Sequence, residues 1–338
     1  MYQKTITGRE AGQRLDKYLH KLLPEAQSSF LYKMLRKKNI VLNDKKADGS
    51  EKIACGDVIS VYFSDETLQK FMGGSPTAQT HTRTGQSYGL CMPFKDSVSV
   101  IYENEHLLIA DKPAGVLTQK AEASDVSLND WLIARLLTNG EITQEDLRTF
   151  RPSACNRLDR NTSGLVLCAK SVAGAQMLSD ALRIRSLHKF YRLYVKGRID
   201  AEETIEGFLQ KDAKTNTVRI SKTASADAKE SFIQTRYLPI RQEKDKTLLE
   251  VELITGKSHQ IRAHLASIAH PLLGDYKYGD RAWNDTYKKA YGVTHQLLHA
   301  YKIVFPHLDA PFTDISGMTF YAPLPAVFET VSDPFAPN

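Results

Sequence analysis

After Gly12, apolar residues recur at three- and four-residue spacing, at Leu15, Tyr18, Leu19, Leu22 and Leu23, which predicts a helix with one buried face that Pro24 ends. A second helix is expected from Ser28-Ser29, with Leu31, Met34 and Leu35 facing inward and Lys33, Arg36, Lys37 and Lys38 crowding its free side. Two strand-like runs follow, Ile40 to Asp44 and Asp57 to Tyr62, separated by polar turns and Gly56. From about Phe71 to Pro93 the apolar period gives way to Gly, Ser, Thr, Gln and Pro, which reads as a flexible linker.

Beyond that stretch the pattern changes to strands, beginning with Val98 to Glu103 and His106 to Asp111. Ser127 caps an expected helix carrying Leu128, Trp131, Leu132, Leu136 and Leu137. Further strand candidates are Lys189 to Val195, Val218 to Ser221, Glu230 to Leu238, Thr247 to Ile254 and Leu297 to Phe305. Several connections are too short for crossover helices, so the expected fold is α+β, a mixed, largely antiparallel central sheet with packed helices. A small α/β domain precedes it. The expected boundaries are residues 1–70 for that domain, 71–96 for the linker and 97–330 for the larger body.

The larger body is organised around Arg157-Leu158-Asp159-Arg160-Asn161-Thr162-Ser163-Gly164 and the apolar run Leu165 to Ala169 behind it. Such a run reads as a strand buried on both faces, which holds the preceding loop still. With extended backbone around Leu158, Arg157 and Asp159 project to one side and Leu158 to the other. The residues alone fit two readings, a presented reactive carboxylate or an Arg-Asp ion pair that staples the loop. Thr255 to Ala269 reads as a turn into a helix with Ile261, Leu265 and Ile268 inward and Arg262 at the edge of that stripe.

A length of 338 residues with 42% hydrophobic and 25% charged content suits two globular domains. The net charge of +6 is modest, but residues 1 to 63 hold twelve Lys and Arg against seven Asp and Glu. A basic face concentrated on a small domain fits either a well-solvated surface or the footprint of a phosphate-backbone binder. Cys55, Cys91, Cys155 and Cys168 have no paired spacing and read as reduced thiols. With neither a leader pattern nor an 18-residue apolar segment, a cytoplasmic protein with no membrane partner is expected. His259, His264 and His270 invite a metal-dependent RNA hydrolase, but their spacings of five and six do not place three nitrogens on one helical face, so no metal is expected. A glycine-rich phosphate loop and a dinucleotide fingerprint are also missing.

Four stretches, the Arg157 to Gly164 loop, Lys112-Pro113-Ala114-Gly115, His188-Lys189-Phe190-Tyr191, and Thr255 to Arg262 with His270 to Asp275 and Tyr278-Gly279 behind it, together resemble the RluA-type pseudouridine synthases. The resemblance runs from about Val98 to Ala322, with Asn156 where the family most often has histidine. It implies the pseudouridine synthase fold and an isomerase that converts uridine to pseudouridine without a cofactor. It also implies Asp159 as catalytic residue, Tyr191 stacked on the target base and Arg262 paired with the aspartate. Arg157, Asn161, Thr162, Lys112, His259 and Gln260 are the expected substrate-binding residues. Gly12 to Leu19 and Arg36 to Lys45 resemble the S-four type RNA-binding domain. Domain order and length are similar to the branch acting on 23S ribosomal RNA. Transfer RNA as substrate and a non-catalytic ribosome-assembly factor stay open as alternatives, and a monomer is expected.

Overall fold

Two separate sheets, each with its own core, divide the chain. The computed structural model describes residues 1–73, 93–94, 96–212, 214–224 and 230–332, so most of the linker expected at 71–96 lies outside the described residues.

The N-terminal part runs β1 (Tyr2–Thr5), α1 (Leu15–Leu22), α2 (Ser28–Arg36), β2 (Ile40–Leu42), β3 (Lys45–Lys46), β4 (Val58–Val61) and α3 (Asp65–Phe71). Its strands pair antiparallel in the order β1-β4-β2-β3. The periodic residues Leu15, Tyr18, Leu19 and Leu22 meet Leu31, Leu35, Ile40 and Val61 in one core. Fully burying a side chain of this size contributes about 1.5–3 kcal/mol, so this face holds the helices on the sheet. Lys33, Arg36, Lys37 and Lys38 are all exposed on the other side. Helix α3 reaches Phe71, where the composition places the start of the linker: Ser64 caps it and Phe71 packs on Phe30 at 4.6 Å between ring centroids.

The larger body continues with β5 (Ser99–Glu103), β6 (Leu107–Lys112), α4 (Leu128–Thr138), α5 (Asp146–Thr149), β7 (Ser153–Ala154), β8 (Ser163–Ala169), α6 (Val172–Arg183) and β9 (His188–Lys196). Then come β10 (Glu203–Asp212), β11 (Thr217–Ser221), β12 (Glu230–Gln242), β13 (Lys246–Leu253), α7 (Gln260–Ser267), α8 (Arg281–Tyr291), β14 (Leu298–Val304), β15 (Thr319–Tyr321) and α9 (Val327–Thr330). The strand order is β11-β10-β12-β13-β9-β14-β8-β6-β5, with β15 on β14 and β7 on β8. Among the described strands the β14–β8 pairing is parallel and the others antiparallel, matching the expected α+β class. No helix among the described residues is long and apolar enough to cross a membrane.

The parallel pairing at the sheet centre depends on Gly164. Its φ is +107°, and a Cβ there would lie 2.2 Å from the Ala300 carbonyl oxygen. Glycine alone permits this backbone approach. The result is that the loop before β8 starts where the two halves of the sheet join.

The N-terminal part touches the larger body through a polar seam. Tyr2 Oη donates to Glu145 at 2.9 Å, Lys4 pairs with Asp146 at 3.1 Å and Arg9 with Glu141 at 3.3 Å. The Val172 N–H donates to the Arg9 carbonyl, and the buried Glu10 carboxylate accepts from Thr149 Oγ1.

Candidate active site

All seven residues of β8 are buried, so the loop in front of it is anchored in the core. Leu158 joins that core, 7% exposed, while Arg157 is exposed and Asp159 half-buried on the other side. The Thr118 hydroxyl donates to the Leu158 carbonyl at 2.9 Å and accepts from the Leu158 N–H at 3.2 Å. Thr162 N–H donates to the Asp159 carbonyl at 3.0 Å, closing the turn behind the carboxylate. Asn156, in the position of the family's usual histidine, accepts from Leu167 N–H at 2.7 Å and donates to the Leu165 carbonyl at 3.4 Å. Its amide therefore ties the loop entrance to β8.

Lys112 is fully buried. Its ammonium donates to the carbonyls of Pro113 at 2.9 Å, Val116 at 2.8 Å and Arg160 at 3.2 Å. Burial pushes this ammonium down to about 7, against the pull of Asp159 and Asp111. Three acceptors match the three N–H donors of the charged form. With its donors occupied, Lys112 holds the loop and does not point them at a substrate.

Opposite the loop, His259 adopts φ +54° and turns the chain into α7. The Gln260 amide accepts from Thr255 Oγ1 and Lys257 N–H and donates to the Gln234 carbonyl and Thr235 Oγ1, within 2.9–3.1 Å. Its hydrogen-bonding capacity is filled by β12 and its own turn, so this side chain fixes the start of α7. Two residues further on, the Arg262 guanidinium donates from Nη1 to Asp159 Oδ2 at 2.9 Å. It also donates from Nε and Nη2 to the two oxygens of Asp275, at 2.7 and 2.9 Å. Burial alone would lower the Arg262 pKa, but Asp275 and Asp159 outweigh it and hold the cation well above its usual range. For Asp275 burial opposes the charge, and Arg262 with the N–H groups of Lys277 and Tyr278 still holds it below the usual carboxylate value.

Tyr191, 4% exposed on β9, forms the apolar wall with Leu253, Ile261 and Leu298. Burial and the nearby Asp159 raise its hydroxyl pKa, so it stays a neutral phenol. His259 Nδ1 lies 2.8 Å from the Tyr278 hydroxyl, and its Nε2 lies 3.8 Å from Asp159 Oδ2. Burial lowers the pKa of this imidazole against the pull of Asp159. The recess so formed brings together Arg157, Asp159, Thr162, Tyr191, His259, Gln260 and Arg262 of the expected residues. Asn161 lines an adjoining recess that shares Arg157, Asp159 and Arg262. His264 and His270 turn elsewhere, to Thr235 Oγ1 at 3.0 Å and the Lys196 carbonyl at 2.9 Å. Asp275 and Thr118 are not among the expected site residues: Asp275 closes one of the matching stretches without a role being read for it, and nothing in the local pattern marks Thr118. A carboxylate tethered to a cation beside an apolar slot suits attack on, or proton handling for, a planar heterocycle seated in that slot.

The fold and this arrangement are those of a pseudouridine synthase. The human RNA pseudouridylate synthase domain containing 4 matches the fold at a TM-score of 0.54 and 19% identity, over 68% of this chain and 90% of that one. The family model for RNA pseudouridylate synthase matches residues 106–267. The ribosomal large subunit pseudouridine synthase C of Vibrio vulnificus is 30% identical over 327 residues, spanning 95% of this chain and 92% of the relative. An uncharacterized RNA pseudouridine synthase of Mycoplasma pneumoniae is 32% identical over 301 residues, 88% of this chain and 86% of the relative. The chain belongs to the RluA-type RNA pseudouridine synthases, isomerases that act on RNA.

Proposed function

We propose that this enzyme converts uridines of large-subunit ribosomal RNA to pseudouridine with Asp159 as its catalytic carboxylate. The observation that carries the assignment is the 2.9 Å pairing of Asp159 with Arg262 at the mouth of the recess walled by Tyr191. The choice of RNA rests on relatives named for the large ribosomal subunit. The target uridine leaves the stack and enters the recess. Extraction costs a few kcal/mol and stacking on Tyr191 returns about 1–3 kcal/mol, so phosphate contacts supply the remainder. Asp159 acts at the sugar as the N1–C1′ bond breaks, uracil turns, and the C5–C1′ bond forms. The C5 proton leaves and N1 gains one, so the reaction balances without a cofactor. Arg157, exposed at the mouth, holds the rearranged strand, and the S-four type module anchors RNA through its basic face.

The test is tritium release from C5-labelled ribosomal RNA by Asp159→Asn. Carboxamide and carboxylate share a shape, so RNA affinity is expected within about tenfold of wild type, or roughly 1.4 kcal/mol. Release is expected to be undetectable, because the loss exists only along the reaction path. Sustained release by this variant would overturn the assignment.

A further inference from the structure

We propose that Asp275 is a positioning residue for the isomerisation, anchoring Arg262 so that Asp159 can leave the cation and engage the sugar. The inference rests on the reading of Asp159 as the reactive carboxylate and adds a second carboxylate to it.

The guanidinium splits its donors unequally. Nε and Nη2 form the two-pronged pair with Asp275, and only Nη1 reaches Asp159. Two parallel charge-assisted bonds fix the plane of a guanidinium, whereas a single one permits rotation. Exposure follows the same division: the Asp275 side chain is 1% accessible and that of Asp159 27%. Asp275 is itself clamped. Its carboxylate accepts from the Lys277 and Tyr278 N–H groups at 2.9 and 3.1 Å, and its carbonyl accepts from the fully buried Asn284 side chain at 2.9 Å. The turn that carries it has no slack, since a Cβ at Gly274 would lie 2.1 Å from the His295 carbonyl oxygen and one at Gly279 2.1 Å from that of Asp275.

A buried cation whose only partner were Asp159 would be left uncompensated whenever that carboxylate moved to substrate. With Asp275 in place Arg262 keeps a full partner, so the Asp159 bond can be exchanged for one to the reacting sugar. Asp275 thus makes one ion pair permanent and the other exchangeable.

The experiment is single-turnover tritium release with saturating ribosomal RNA, well below the melting temperature of each variant. Asp275→Asn is expected to slow release about a hundredfold, as a misplaced group does, while RNA affinity stays within about threefold. In an Arg262→Gln background the same change is expected to cost less than about threefold, since both act through one guanidinium. A wild-type rate for Asp275→Asn, or losses that multiply in the double variant, would overturn the proposal. Should Asp275→Asn not fold, Asp275→Glu keeps the charge and displaces it by one methylene. Release slowed about tenfold or more then supports the role, and an unchanged rate sinks it. An active Asp159→Asn would refute the underlying reading, whereas an inactive Asp159→Asn beside a fully active Asp275→Asn refutes this inference alone.

Discussion

The Lys112 ammonium and the Arg160 carbonyl meet at 3.2 Å, joining the end of β6 to the loop that carries Asp159. The Gly115 N–H reaches the same carbonyl at 2.8 Å. Lys112→Met keeps the aliphatic stem but leaves the buried Val116 carbonyl and the part-buried Pro113 carbonyl without this donor, each at a cost of about 1–3 kcal/mol. Relief of the buried charge offsets part of that. A net loss of about 2–4 kcal/mol in urea unfolding is expected, with slower tritium release. Unchanged stability would mean that the loop is held by its remaining bonds.

His299 predicts a particular acid sensitivity. It is 1% exposed, 2.8 Å from Ser163 Oγ, and burial lowers its pKa to about 4. An unfolded imidazole takes up its proton below about pH 6.5, so between there and pH 4 protons favour the unfolded chain. The stability this neutral histidine contributes is complete above that window and is lost as pH falls through it, by about 3 kcal/mol. His299→Gln should flatten the pH dependence of the unfolding free energy from urea titrations by that amount. An identical pH profile in the variant would show that the imidazole does not govern this transition.

Gly164→Ala is expected to be the most damaging single methyl in the sheet. The added carbon would sit 2.2 Å from a backbone oxygen that cannot step aside. A loss above about 4 kcal/mol, or failure to fold, is expected in thermal unfolding. A stable, active variant would show that β8 and β14 can separate.

Removing residues 1–73 tests the module as an anchor. The face uncovered carries the carboxylates Glu141, Glu145 and Asp146, with Glu141 still paired to Lys170 at 2.7 Å, so the remaining body should stay in solution. Without the exposed Lys33, Arg36, Lys37 and Lys38, RNA affinity should fall and its salt dependence flatten, by a slope of about 0.7 to 0.9 for each phosphate that the module neutralises. An unchanged slope in filter binding would remove the module from RNA recognition.

Where one face of an element is buried, the chain is readable. The stripes of α1 and α2 and the apolar run of β8 announce themselves because burial writes its period into the residues. Strand β10 does not, because Gly207 interrupts its alternation and both ends are polar. Helices α6 and α8 bury short stripes, Leu178 with Ala181 and Trp283 with Tyr287, and their caps at Ser171 and Asp280 and the Gly292 turn at +72° mark their ends. The Asp159–Arg262 pairing is legible through family resemblance and not through spacing, since 103 residues separate the two. Asp275 stands in view as part of a motif, yet its role depends on a turn that folds back thirteen residues onto Arg262. The occupied donors of Lys112 and Gln260 are likewise properties of the folded loops.

The ties on the Asp159 loop run largely to main chain: Lys112 and Gly115 to carbonyls, Thr118 to both groups of Leu158, Thr162 N–H to Asp159. The outward side chains of Arg157 and Arg160 supply none of these. Substitution at those two positions can therefore alter which RNA surface the rim accepts without moving the carboxylate. The backbone that fixes the carboxylate and the rim that faces solvent are thus distinct parts of a few consecutive residues.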